Sequence, residues 1–114
     1  MKLVDANTVE LNATFTEPNT NSDGTPLLDL DYSTIYIITP AGTIKAPLIQ
    51  ESNASGGGIQ TVKIMVNAPS GVKTTLQFAA TSTDTTGNEG QRTPEVTVVI
   101  DRIAPSVPTN FTLA

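Results

Sequence analysis

Leu76-Gln77-Phe78-Ala79-Ala80-Thr81-Ser82-Thr83-Asp84-Thr85-Thr86-Gly87-Asn88 is the stretch that decides the fold. Leu76, Phe78, Ala80 and Ser82 alternate on one face of an extended strand. That strand runs into an Asp-x-x-Gly-Asn turn, where glycine and asparagine accept the backbone angles of a tight reversal. A second alternating strand, Val96, Val98 and Ile100, follows at once. Strand, Asp/Gly/Asn turn and strand is how antiparallel neighbours are joined, and this joint carries no reactive group. The stretch therefore specifies an architecture without naming a partner.

The same two-residue period recurs on either side. Val9, Leu11, Ala13 and Phe15 alternate with polar residues until Pro18, which has no amide hydrogen for a ladder. Asn19 to Pro26 is turn-forming, with Asp23-Gly24 at its tip. Tyr32 to Thr39 is β-branched and aromatic and reads as a central strand. Pro40-Ala41-Gly42 turns the chain into Thr43 to Ile49, where Pro47 suggests an edge position. Glu51 to Gly58 is polar, ends in three glycines and reads as a mobile loop or hairpin tip. Gln60 to Val66 places Val62, Ile64 and Val66 on one face, and Asn67 to Gly71 is another turn. About seven short strands with turn chemistry between them predict an all-β, two-sheet antiparallel sandwich. Nineteen Thr residues suit solvent-facing strand positions and argue against helices.

Composition narrows the function classes. The chain has 114 residues, enough for one modest core, with no Trp and five aromatics, so Val, Ile and Leu must fill it. Its formal charge of -5 disfavours nucleic acid and anionic membranes, which are met by clustered Lys and Arg. Cys and His are both absent, which removes thiolate chemistry and the commonest general base and metal ligand. Met1-Lys2-Leu3-Val4-Asp5 opens without an apolar run of signal-peptide length, and no segment approaches a membrane span.

Phe15-Thr16-Glu17-Pro18 with Asn21-Ser22-Asp23-Gly24-Thr25-Pro26-Leu27 resembles the B strand and B–C loop of bacterial fibronectin type III modules. Ile35-Tyr36 falls at that family's C-strand pair. Pro69-Ser70-Gly71, Phe78 and Asp84-Thr85-Thr86-Gly87-Asn88-Glu89 resemble its E–F turn, F strand and F–G turn. From Val96 to Pro105 the chain is equally similar to bacterial immunoglobulin-like repeats. The resemblance covers most of Val9 to Pro108 and implies an immunoglobulin-like sandwich over residues 1–103. Phe15 stands where the family has a core Trp, and Leu76 where it has a Tyr corner, which implies a smaller core.

Residues 104–114 read as an extended linker or arm, similar to the start of a following module. Only Lys2-Leu3-Val4 is available for a first strand, whereas the arm carries a spare one. Strand donation to a neighbour, giving a homo-oligomer, would use Val107, Phe111 and Leu113. The simpler reading is an arm running along its own domain.

Asp84, Asn88, Glu89 and Asp101 are hard oxygen donors near one turn and the linker, and so are the candidate calcium ligands. The competing reading is ordinary turn chemistry, with no cofactor. Asp29 and Asp31 would share a face of an extended strand, more simply as a solvated acidic edge than as an acid/base pair. Ser55-Gly56-Gly57-Gly58 lacks the Gly-Lys-Ser/Thr of a phosphate loop. The expectation is a non-enzymatic structural or interaction module with a protein partner. The setting expected is a virion, as a bacteriophage capsid-decoration, neck or tail accessory protein. The alternative is a spacer or adhesion module of a secreted bacterial adhesin or polysaccharide-degrading enzyme, extracellular or on the cell surface.

Overall fold

In the computed structural model, which describes residues 1–45 and 49–114, alternation becomes eight strands and no helix. They are β1 (Lys2–Leu3), β2 (Thr8–Thr16), β3 (Leu30–Thr39), β4 (Gly42–Lys45), β5 (Ile49–Gln50), β6 (Ile59–Asn67), β7 (Lys73–Asp84) and β8 (Val96–Asp101). All pairings are antiparallel. One sheet has three strands in the order β1-β2-β6; the other has five, β4-β3-β7-β8, with β5 also paired to β3. About seven strands were expected. The described residues of the stretch expected as one strand, Thr43 to Ile49, fall in β4 and β5. Of these, β4 pairs with Tyr36 to Thr39, and β5 with Tyr32 and Ser33. The edge position expected of Pro47 lies outside the described residues.

Apolar alternation explains how the two sheets meet. Val9, Ile64 and Val66 of the three-stranded sheet share one buried cluster with Ile35, Ile37, Leu76 and Ile100 of the five-stranded sheet. Ile100 and Val9 are the largest apolar side chains wholly removed from solvent. Truncating Ile100 to alanine would cost about 2–5 kcal/mol, because the lost contacts are not replaced. Phe78 and Ala80 lie on the same face as Leu76, as their spacing requires, but are only half-buried. Ser33 and Ser82 extend that face and bond to one another at 3.0 Å.

The opposite face of β3 and β7 is also shielded. Thr34, Tyr36, Ala79, Thr81 and Thr83 are all buried. Part of the cover is the segment after the Asp84 turn. It stays on the edge of β7 through Gly90 N–H to Ser82 C=O (2.9 Å) and Thr93 N–H to Ala80 C=O (2.9 Å) before becoming β8. The predicted strand–turn–strand joint is thus present, with β8 pairing only from Phe78 onward.

Candidate functional site

Asp84 ends β7 and is consumed by its own turn. Its Oδ1 accepts the backbone N–H groups of Thr86 (3.0 Å) and Asn88 (2.9 Å) and the Thr86 hydroxyl (2.9 Å). Its Oδ2 accepts the Asn88 amide at 3.0 Å. Led by the bonds from Asn88, these donors stabilise the carboxylate and hold its pKa down to about 2. Glu89, next in the chain, points to the sheet: its Oε2 accepts from the Tyr36 hydroxyl and from Thr81 Oγ1 (2.6 Å). The Arg92 guanidinium lies 4.2 Å from the centroid of the same Tyr36 ring.

Of the four oxygen-donor residues singled out for calcium, Asp84, Asn88 and Glu89 share this turn, but Asp101 does not join them. It is opposite Lys73 at the other end of β7, roughly 35 Å away along the strand. There it pairs loosely with Lys73 (3.9 Å) and accepts the Ile103 N–H (2.9 Å). Among the described residues, no three acidic side chains are grouped as a metal site. Asp29 and Asp31 do not continue one strand face. β3 begins at Leu30, and its register against β7 shifts between Leu30 and Tyr32. Among the described residues no helix is long and apolar enough to cross a membrane.

A buried carboxylate escaped sequence reasoning. Glu17 is only 3% exposed. It sits just past β2 and accepts from Ser52 N–H (2.9 Å), Ser52 Oγ (2.5 Å), Gly58 N–H (3.2 Å) and Gln60 Nε2 (3.1 Å). Burial alone raises a carboxyl pKa, but the donors around Glu17 outweigh it and leave the pKa lowered. The same Gln60 amide also donates to Gln50 C=O, so this clasp joins β2 and β6 of one sheet to β5 of the other. The glycine segment expected to be mobile is anchored here, with Gly57 N–H on Pro18 C=O at 3.2 Å. Ser52, Gly58 and Gln60 are 35 to 43 residues from Glu17, so no local motif marks the site.

Between the end of β2 and the turn after β7 lies an open cleft of about 730 Å³, with Phe15, Pro18, Leu27, Ala80, Ser82 and Glu89 among its walls. It adjoins an incomplete sheet edge. Glu17 N–H bonds Gly58 C=O in register with the β2–β6 pairing, so odd-numbered residues of β2 direct their backbone groups to β6. Val4 N–H bonds Thr8 C=O on the other side, so even-numbered residues face β1. Pairing by β1 covers only Val9 and Glu10. Beyond it, Asn12, Thr14 and Thr16 turn their N–H and C=O groups to an edge that no described strand covers. The inward side chains along this edge, Leu11, Ala13 and Phe15, are half-buried. Val96, on the core-facing side of β8, is 61% exposed.

The three arm residues singled out for interaction are the most exposed large apolar side chains among the described residues: Val107 82%, Phe111 80% and Leu113 86%. The arm carries no strand and accounts for the long dimension of the molecule, 72 × 32 × 21 Å, since the twelve residues of β7 reach only about 40 Å. No family model matches this chain, and neither a curated protein nor a solved structure matches it.

Proposed function

We propose that this chain is a non-catalytic interaction module folded as a fibronectin type III-like or immunoglobulin-like β-sandwich. The strand order supports that topology: β1-β2-β6 against β4-β3-β7-β8, with one apolar cluster drawn from both sheets. The observation that carries the interaction reading is the combination of an uncovered β2 edge and a fully exposed arm of alternating apolar residues. The buried carboxylate favours a structural role for the polar residues. Glu17 is held ionised by four donors that belong to the fold, the reverse of a group tuned to give up a proton near neutral pH.

The setting we propose is a virion, with the chain as a capsid-decoration, neck or tail accessory component that binds other virion proteins. The warrant is analogy with where such sandwiches recur. A second reading, a spacer or adhesion module in a secreted multidomain bacterial protein, is favoured by the linker-like Ala104 to Pro108. The DNA flanking the coding sequence tests between them. Genes for particle structural proteins on either side are the expected result. Tandem copies of the module behind an export signal would overturn the virion setting in favour of the second reading.

A further inference from the structure

We propose that the arm of one copy completes the β2 edge of a second copy, so that the chain assembles head to tail. This deepens the interaction reading by naming the partner, and it rests on that reading. Lys2 is opposite Glu10 and Leu3 opposite Val9, and no described strand pairs with the outer edge of β2 from Asn12 to Thr16. Five arm residues, Asn110 to Ala114, fill it in antiparallel register once Asn110, which has a φ of 56° in the free arm, extends. Ala114 then lies opposite Asn12, Thr112 opposite Thr14 and Asn110 opposite Thr16.

Chemistry fixes the register. The residues facing Asn12, Thr14 and Thr16 must exchange backbone hydrogen bonds with them, so each needs an N–H. Asn110, Thr112 and Ala114 have one. Pro108, which lacks it, falls beyond the end of β2. The intervening Phe111 and Leu113 then lie opposite Phe15 and Ala13 on the core-facing side. There the half-buried Phe78 and Val98 and the exposed Val96 leave apolar surface uncovered. Moving the register by one residue would turn Phe111 and Leu113 to solvent, and moving it by two would place Pro108, which has no N–H, opposite Thr16.

The arm's own chain is a poor acceptor. Arg102, which leads into the arm, bonds Val72 and Ala68, and Ala68 N–H bonds Asn7 C=O, so the arm departs from the end of the molecule where β2 starts. Pairing in cis would require it to run parallel to β2 after passing β1. A second copy receives it from the opposite end, antiparallel. Edge strands are normally guarded by Lys, Pro or inward charges, yet Asn12 to Thr16 and Ser106 to Ala114 carry no charged side chain.

The chain has no cysteine, so single cysteines report the pairing cleanly. Mixing the Thr14→Cys and Thr112→Cys variants under oxidising conditions is expected to give a crosslinked heterodimer; Thr14→Cys with Ser70→Cys is expected to give none. Light scattering of the full chain across concentration is expected to show growing oligomers. Phe111→Asp with Leu113→Asp should lower the association constant on the order of 100-fold while leaving the melting temperature unchanged at concentrations where the chain is monomeric, since both side chains are exposed there. Thr14→Pro, which removes an N–H that β6 does not use, should have a similar effect on association. A chain that stays monomeric at every concentration, or oligomers that survive the arm substitutions, would overturn the inference. Either result leaves the interaction reading standing, because that reading is decided by whether the chain binds a different protein.

Discussion

Ser52 gives its amide hydrogen to one carboxylate oxygen of Glu17 and its hydroxyl hydrogen to the other. Glu17 closes β2 and Ser52 follows β5, so this two-point contact ties one sheet to the other. A small core without tryptophan makes such a polar tie a large fraction of total stability, which for a domain of this size is on the order of 5–15 kcal/mol.

Glu17→Ala is expected to destabilise the chain by about 3 kcal/mol, since the Ser52 and Gly58 amides would be left without an acceptor. Urea unfolding followed by circular dichroism measures this. A loss smaller than that of an exposed substitution would show the clasp to be dispensable.

Gly56→Ala should cost more than Gly87→Ala. Both glycines have positive φ, +67° and +87°, so both incur backbone strain on gaining a side chain. At Gly87 the added carbon meets nothing within 4 Å, whereas at Gly56 it would lie 1.8 Å from the Pro18 carbonyl oxygen. The expected losses are about 1 kcal/mol at Gly87 and about 2–4 kcal/mol at Gly56. Equal melting temperatures for the two variants would contradict the docking of the glycine segment against Pro18.

Acid should weaken the fold in two places. Asp84 has its pKa lowered from 3.8 to about 2, and Glu17 lies below its ordinary 4.5. Each folded-state value is depressed, so the unfolded chain takes up protons first. The contribution of each carboxylate is complete above its unfolded pKa and is lost as pH falls through the folded one. Stability is therefore expected to fall from about pH 4.5 down to about pH 2. The Asp84→Asn variant should show a shallower decline, and carboxyl chemical shifts followed through the titration would identify each group.

Calcium is expected to leave the melting temperature unchanged. Both oxygens of Asp84 already serve the turn, Glu89 is turned to Tyr36 and Thr81, and Asp101 is at the far end of β7. A cation would have to break these bonds before gaining ligands. A rise in melting temperature with millimolar calcium, reversed by a chelator, would assign the turn a metal after all.

Strand identity was legible because side chains alternate over a core. Val9 to Phe15, Val62 to Val66 and Leu76 to Ser82 carry that period, and β2, β6 and β7 contain those stretches. The Asp84 turn was legible because its chemistry is local: an aspartate capping amides two and four residues ahead. Polar contacts between distant segments were not. Glu17 meets Ser52, Gly58 and Gln60 only after both sheets have formed, and Tyr36 meets Glu89 across 53 residues. Asp101 looked close to Asp84 because both border β8 and its turn, but antiparallel pairing sends the end of β8 back to the start of β7.

The chain holds two tyrosines and no tryptophan. Tyr36 is buried with its phenol bound to a carboxylate, while Tyr32 is half-buried. A phenol that hydrogen-bonds a carboxylate emits weakly, so ultraviolet emission from this chain is an internal optical gauge. It should brighten when the segment carrying Glu89 and Arg92 lifts off the sheet, and no dye or added fluorophore is needed to see it.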